Sequence, residues 1–387
     1  MTDHDKRHTI DRRTFVTSAA ALVAAGRGVL GNLETTSASS TPRALTAAWP
    51  GYDKATVIDF LASPGYFNYP LNPPLDDAMI GHAVHSGITA VNLTVSQSGF
   101  SDTVENIARW MTRMEQHPAA FRQVRTVADI ADAKVTKRLG VVLGFQDTVP
   151  FEGRIENVDI FRNLGVRVTQ LTYNVRNLVG DGCLEPANGG LSRFGHSVVE
   201  RMNAVGMLVD LSHCGQKTTA EGIAASRLPV AITHSGCNEV ARHPRSKDDT
   251  ELRALAEKGG VIGIYLMPFL SPGRVPTRAD VLDHLEHAIN VCGEEHVGIG
   301  SDLSTTPIDG SGDYVTKHRE FVAGRIAKGI AAPNEDPDIL FTVPELNNDR
   351  RMELIAEGLA SRGHPSARIE KVIGGNWLRL FGETWTA

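Results

Sequence analysis

The sequence predicts a (β/α)8 barrel of the α/β class with extra helices at its C-terminal end, and three observations carry that expectation. Short apolar runs alternate with amphipathic stretches of helix length, which is the sequence form of a parallel α/β fold. Eight such runs can be counted after residue 54, and 387 residues accommodate a barrel of about 250 residues with additions. No G-x-G-x-x-G follows the first run, which counts against the alternative, an open doubly wound sheet with a dinucleotide domain.

Taken in order, residues 55–63 (ATVIDFLAS) form the first strand, and 64–74, rich in Pro, Gly, Tyr and Asn, a loop. A helix over 76–85 and a strand over 88–96 follow. The stretch 101–115 has helical periodicity with Ser101 as its N-cap, and 126–140 gives another helix. Strands at 140–147 and 166–174 flank a helix at 154–165. The Gly- and Asn-rich segment 175–190 is a functional-loop candidate. A helix at 191–206 leads into two strands, 207–213 and 229–235, around a helix at 216–227. The pattern continues with a helix at 250–260, a strand at 261–268, a helix at 278–290 and the last strand at 296–304. Residues 305–349 are a Pro- and Asp-rich excursion with little periodicity, and helices at 350–362 and 366–381 pack on the outside of the barrel.

Residues 1–47 stand outside the fold. Arg12 and Arg13 precede a small-residue apolar run from Ala19 to Gly31, which is similar to a twin-arginine export signal read by a receptor. Arg27 interrupts that run, and it is too short to span a bilayer. The expectation is a periplasmic or secreted barrel of residues 48–387 without a transmembrane anchor. A net charge of −6 with 41% hydrophobic residues argues against a nucleic-acid partner. Cys183, Cys214, Cys237 and Cys292 lack CxxC spacing, so they read as small buried residues first and soft metal ligands second.

Chemistry in a barrel gathers at the carboxyl ends of its strands. Read in order, those ends carry Asp59, Thr94, Gln146 and Asp147, Tyr173 and Asn174, His213, His234, the 265–267 region and Asp302. Two imidazoles delivered to one mouth, His213 and His234, can hold a divalent metal or can simply be hydrogen-bonded strand-end histidines. Asp302 facing them is a ligand or a general base, unless it caps the following turn. Arg245, in HPRSKDD just after the sixth strand, can clamp a substrate carboxylate or stand solvated beside Arg242 and Lys247. His82, His85, His196, His243, His284 and His287 fall on helices or loops and read as surface residues.

These residues bring out a resemblance. LTYN (171–174), GLSRFGHSVVERMNAVGMLVDLSHC (190–214), RLPVAITHSG (227–236), HPRSKDD (243–249), HVGIGSDLS (296–304) and IEKVIGGNWLRLFG (369–382) resemble the membrane (renal-type) dipeptidase family. That is a barrel family of metallopeptidases with a two-zinc site. The resemblance implies that His213 and His234 are ligands of the second zinc, that Arg245 grips the substrate's carboxylate and that Asp302 is the acid–base residue. It places Tyr173 where relatives carry a substrate-contacting histidine. Two family features are missing. The first-strand D-G-H-x-D, source of the first zinc's ligands, is replaced by Asp59-Phe60-Leu61-Ala62-Ser63, and the metal-bridging glutamate by Gln146. Asp147, next along the strand, points the other way.

With Asp302 the only evident carboxylate, two dications would be poorly compensated in a low-dielectric cavity. One divalent metal, zinc by donor type, therefore ranks ahead of none, and none ahead of two. The expected protein is an exported dipeptidase-like metallohydrolase acting on a small carboxylate-bearing peptide or amide, as monomer or homodimer. Metal and Asp302 would supply the catalysis with Gln146, and Arg245, Tyr173 and Asn174 would position the substrate. The alternatives are a non-hydrolytic lyase or isomerase, or a ligand-binding protein, built on the same pocket.

Overall fold

The computed structural model describes residues 49–65 and 74–385, so the twin-arginine segment lies outside the described residues. Its strands are β1 (Ile58–Asp59), β2 (Ala62–Ser63), β3 (Ala90–Thr94), β4 (Phe121–Val124), β5 (Leu139–Phe145), β6 (Val166–Gln170), β7 (Leu208–Asp210), β8 (Ala231–Ser235), β9 (Val261–Ile264), β10 (Val297–Ile299) and β11 (Leu303–Ser304). Its helices are α1 (Asp77–His85), α2 (Phe100–Gln116), α3 (Val127–Thr136), α4 (Glu156–Leu164), α5 (Arg193–Ala204), α6 (Gln216–Ala225), α7 (Asp249–Glu257), α8 (Arg278–Cys292), α9 (Gly312–Ala327), α10 (Arg351–Ser361), α11 (Ser366–Glu370) and α12 (Asn376–Thr384).

All strand pairs are parallel, in the order β1-β3-β5-β6-β7-β8-β9-β10. The circle closes where the last strand meets the first: β11 pairs with β2, Phe60 N–H donates to Ile299 O at 3.0 Å, and Asp302 N–H donates to Leu61 O at 2.8 Å. This is the expected eight-membered barrel. One strand is additional: β4 pairs with β5 over Phe121–Leu139 to Val124–Val142, below the point where β6 takes up the same edge at Leu143.

Alternation along each strand decides what faces inward. Ile58, Ala90, Val142, Val168, Leu208, Ala231 and Val261, one from each of seven strands, form a single buried cluster, which only a barrel interior allows. Trp377, Leu380 and Phe381 of α12 join it, with the Trp377 indole donating to Ile299 O at 3.1 Å. Gly298 makes room for that ring, since a Cβ there would lie 2.4 Å from the indole nitrogen. Helix α12 thus stoppers one end of the barrel instead of lying on its outer wall. The larger cluster fills the space between strands and helices. Phe60 stacks into the stopper, 4.8 Å from Trp377 and 4.6 Å from Phe381. The excursion expected to lack periodicity contains the sixteen-residue helix α9.

Candidate active site

The site begins with Asp302. Between β10 and β11 its φ is 60°, a left-handed conformation that aspartate tolerates better than most residues. Gly300, two residues earlier, is demanded by close approach: a Cβ there would meet Thr233 O at 2.0 Å. Together these aim the Asp302 carboxyl into a cavity of about 70 Å3 that it shares with Gln146, Tyr173, Asn174, His213 and Arg245. Burial raises its pKa to about 7, against the pull of Arg245 and Arg325 and of a hydrogen bond from Gln146.

The histidines lie beside it. Asn174 donates through Nδ2 to Ile330 O at 2.8 Å, which fixes its amide and turns Oδ1 toward His213 Nδ1, 2.6 Å away. His213 therefore carries its proton on Nδ1. Thr233 Oγ1 donates to Asp210 Oδ2 at 2.7 Å and so accepts from His234 Nδ1 at 2.8 Å. His234 also carries its proton on Nδ1. The two Nε2 lone pairs then face each other at 2.9 Å. Two lone pairs at that separation call for a shared proton, or for a cation bound by both nitrogens and lying off the line that joins them. A proton is disfavoured, because burial first and Arg245 second push both histidines well below their usual pKa. Second-partner hydrogen bonds that fix ring tautomer in this way are the usual support of metal-ligating histidines. The two imidazoles thus offer a pair of neutral nitrogen donors of the kind that holds a divalent ion, while Asp302 does not group with them at metal-ligand spacing.

Beneath His234 lies Asp210, fully buried. It accepts from Ser212 N–H (3.0 Å), Ser212 Oγ (2.5 Å), Thr233 N–H (3.0 Å) and Thr233 Oγ1. Burial pushes its pKa up, and these hydrogen bonds oppose the shift. Gln146 Nε2 is 3.5 Å from His234 Nε2, so this amide sits between the histidines and Asp302.

At this mouth a second ion finds no comparable set among the described residues; the three-residue group with metal-ligand spacing, Glu239, Asp249 and His287, includes none of the residues at this mouth. Asp59 is spent on Ser301, whose N–H and Oγ both donate to it at 2.6 Å, and on Arg351 at 3.4 Å. Phe60 and Leu61 are core residues. Asp147 accepts from Asn177 at 2.9 Å and from the Tyr173 N–H at 3.2 Å, organising the 175–190 loop and not the cavity.

Arg245 is 2% exposed; its Nη1 donates to Ser212 O at 2.9 Å and its Nη2 reaches His234 O at 3.4 Å, yet the side chain still lines the cavity. The Tyr173 ring stacks on His213 with 4.1 Å between centroids. All seven residues singled out in the sequence therefore lie at one mouth, His234 behind His213. Reasoning from sequence missed Arg325, Glu335, Phe321 and Phe341, which cover the cavity from the excursion. Two surface expectations also fail, and the solvated neighbourhood weighed for Arg245 is not found. His243 and His284 are buried, on Pro333 O at 2.8 Å and Leu270 O at 3.1 Å, and Lys247 is buried against Glu251 at 3.6 Å. All four cysteines are free thiols, and Cys214, Cys237 and Cys292 are buried.

The signature of the membrane dipeptidase family, peptidase family M19, matches residues 75–330. The chain belongs to the membrane dipeptidase family. Among its relatives, dipeptidase verJ of Clonostachys rogersoniana is 33% identical over 232 residues, 59% of this chain and 60% of that one. The aligned part thus spans less than two thirds of that dipeptidase's own length. An amidohydrolase from Pseudomonas aeruginosa of known crystal structure is 34% identical, with a TM-score of 0.77 over 87% of this chain and 98% of its own. A metallopeptidase from Rhodobacter sphaeroides, solved with a phosphinate mimic of the dipeptide L-Ala-D-Ala, superimposes with a TM-score of 0.67 over 86% and 99% at 16% identity, a likeness of fold.

Proposed function

We propose that this protein is a dipeptidase-like metallohydrolase that cleaves the amide bond of a small peptide or amide bearing a carboxylate. The observation that carries the reading is the pair of Nε2 lone pairs facing each other at 2.9 Å, next to a carboxyl of pKa about 7. The names of relatives, a dipeptidase and an amidohydrolase, support the same bond type. His213 and His234 would hold one divalent ion, zinc by donor type. When bound there it supplies Lewis-acid polarisation and a more acidic water.

The chain's own groups do the rest. Asp302 Oδ accepts a proton from the attacking water and later returns one to the leaving amine, a task suited to a pKa near neutrality. Gln146 holds that carboxyl by its hydrogen bond and presents an amide to the scissile group. Arg245 orients the substrate carboxylate, its guanidinium kept in place by two carbonyls. Asn174 and Thr233 fix the imidazole tautomers, and Tyr173 walls the cavity.

A screen of L,L- and L,D-dipeptides in 18O-labelled water tests this: solvent oxygen should enter the new carboxylate. The neutral Gln146 and the committed Asp59 favour a second reading, proton transfer in a lyase or isomerase, or binding without turnover. Product without solvent oxygen, or saturable binding without product, would select that reading. Export through Arg12 and Arg13 belongs to the proposal as well; fractionation of cells carrying the native and the Lys-Lys signal would locate the protein.

A further inference from the structure

The excursion after β11 returns over the mouth of the barrel. Helix α9 and residues 328–341 form a strap, and several of its residues are tied down at the cavity. Arg325 donates to Glu335 through Nε at 2.7 Å and Nη2 at 2.8 Å, and through Nη1 to the Tyr173 hydroxyl at 3.2 Å. Glu335 in turn accepts from the Ala332 N–H at 2.7 Å. Ile330 O takes the Asn174 amide, and Pro333 O the His243 ring at 2.8 Å. Phe321 and Phe341 lie against each other in the roof, and Phe341 also approaches Phe269 at 6.2 Å.

The consequence is one of volume. A cavity of about 70 Å3 is well below the about 300–1,000 Å3 to which ligand pockets ordinarily run. With Arg325 on Tyr173 and Ile330 on Asn174, the strap keeps that space small. Phe321 and Phe341 give the roof an apolar part beside the Arg325–Glu335 pair, over a floor of polar side chains. Resting on the reading of this cavity as a site of dipeptide hydrolysis, we propose that the strap is its specificity element. It lifts for entry, the Arg325–Glu335 ion pair sets how readily it lifts, and Phe321 and Phe341 limit the size of the side chain accepted beneath it. Asn174, bonded on one side to the strap and on the other to His213, passes the strap's position to the histidine pair.

The test compares the wild-type protein with Glu335→Gln. Hydrogen exchange is followed in residues 312–341, and kcat/KM is measured for glycylglycine and for a dipeptide of two aromatic residues. Removing the pair should speed exchange at 325–335 by at least about tenfold while the barrel strands keep their protection. The ratio of kcat/KM for the large over the small dipeptide should rise with it. Phe321→Ala, which thins the roof and leaves the ion pair intact, should raise the same ratio without faster exchange, and it serves if Glu335→Gln does not fold. Unchanged exchange at 325–335, or an unchanged ratio in both variants, overturns the proposal. If no dipeptide is cleaved by any form, the hydrolase reading fails by itself. The strap is then judged by exchange and by the relative affinities of small and large phosphinate dipeptide analogues, read in the same directions.

Discussion

Asp302 combines a left-handed backbone, burial and a pKa of about 7, and backbone strain kept at a strand end is most often kept for function. Replacing it with Asn removes the proton acceptor without changing shape. Turnover should fall by about 10^2–10^4-fold, and the acidic limb near pH 7 in the wild-type kcat/KM profile should vanish with it. The same raised pKa has a consequence for stability. The folded form retains a proton that the unfolded chain releases near pH 3.9. In metal-free protein this contribution is complete below that value and is lost as pH rises toward 7. Denaturant midpoints of wild type minus Asp302→Asn should accordingly decline between pH 4 and 7 and level off above; a flat difference would place the carboxyl in an ordinary environment. Thr233→Val, which deletes the acceptor of His234 Nδ1, should weaken metal affinity by about 10–100-fold, read by competition with a chelator.

At the scale of elements, the last strand carries the sharpest constraint. Gly300→Ala would drive a methyl into Thr233 O, the residue that holds His234, and overpacking of this kind costs about 1–3 kcal/mol. A thermal scan should show it, together with a loss of turnover larger than stability alone explains. The barrel was legible because its strands are short, apolar and separated by helices with clean start and stop signals, as the Thr277 capping box and Gly165 illustrate. What escaped is equally physical. The strand β4 is four residues long, FRQV, with half-buried polar residues at its centre. Helix α9 buries only Tyr314, His318 and Val322 among the residues it places inward, a stripe too narrow and too polar to stand out. The roof of the cavity followed it out of view, since Arg325 and Glu335 meet only once the strap has folded back. Burial of His243, His284 and Lys247 was hidden for the same reason: their partners are carbonyls and a carboxylate brought up by tertiary packing.

For the whole molecule, the barrel carries a polar mouth at one end and an apolar, stabilising stopper at the other. Trp377, Phe381 and Phe60 carry the latter, so Trp377→Ala should cost about 3–5 kcal/mol while leaving KM of the folded fraction unchanged. No described helix is long and apolar enough to cross a membrane. The site residues named from sequence converge because a parallel barrel forces strand tips together, and the strand-end pattern revealed which they were. The strap that covers them left no such pattern. The central claim is that His213 and His234 share one metal ion, and elemental analysis of protein purified without added metal tests it most directly. The account predicts one divalent ion per chain in the wild type and none in His213→Ala or His234→Ala. Wild-type protein without stoichiometric metal, or a metal content indifferent to both substitutions, would contradict it.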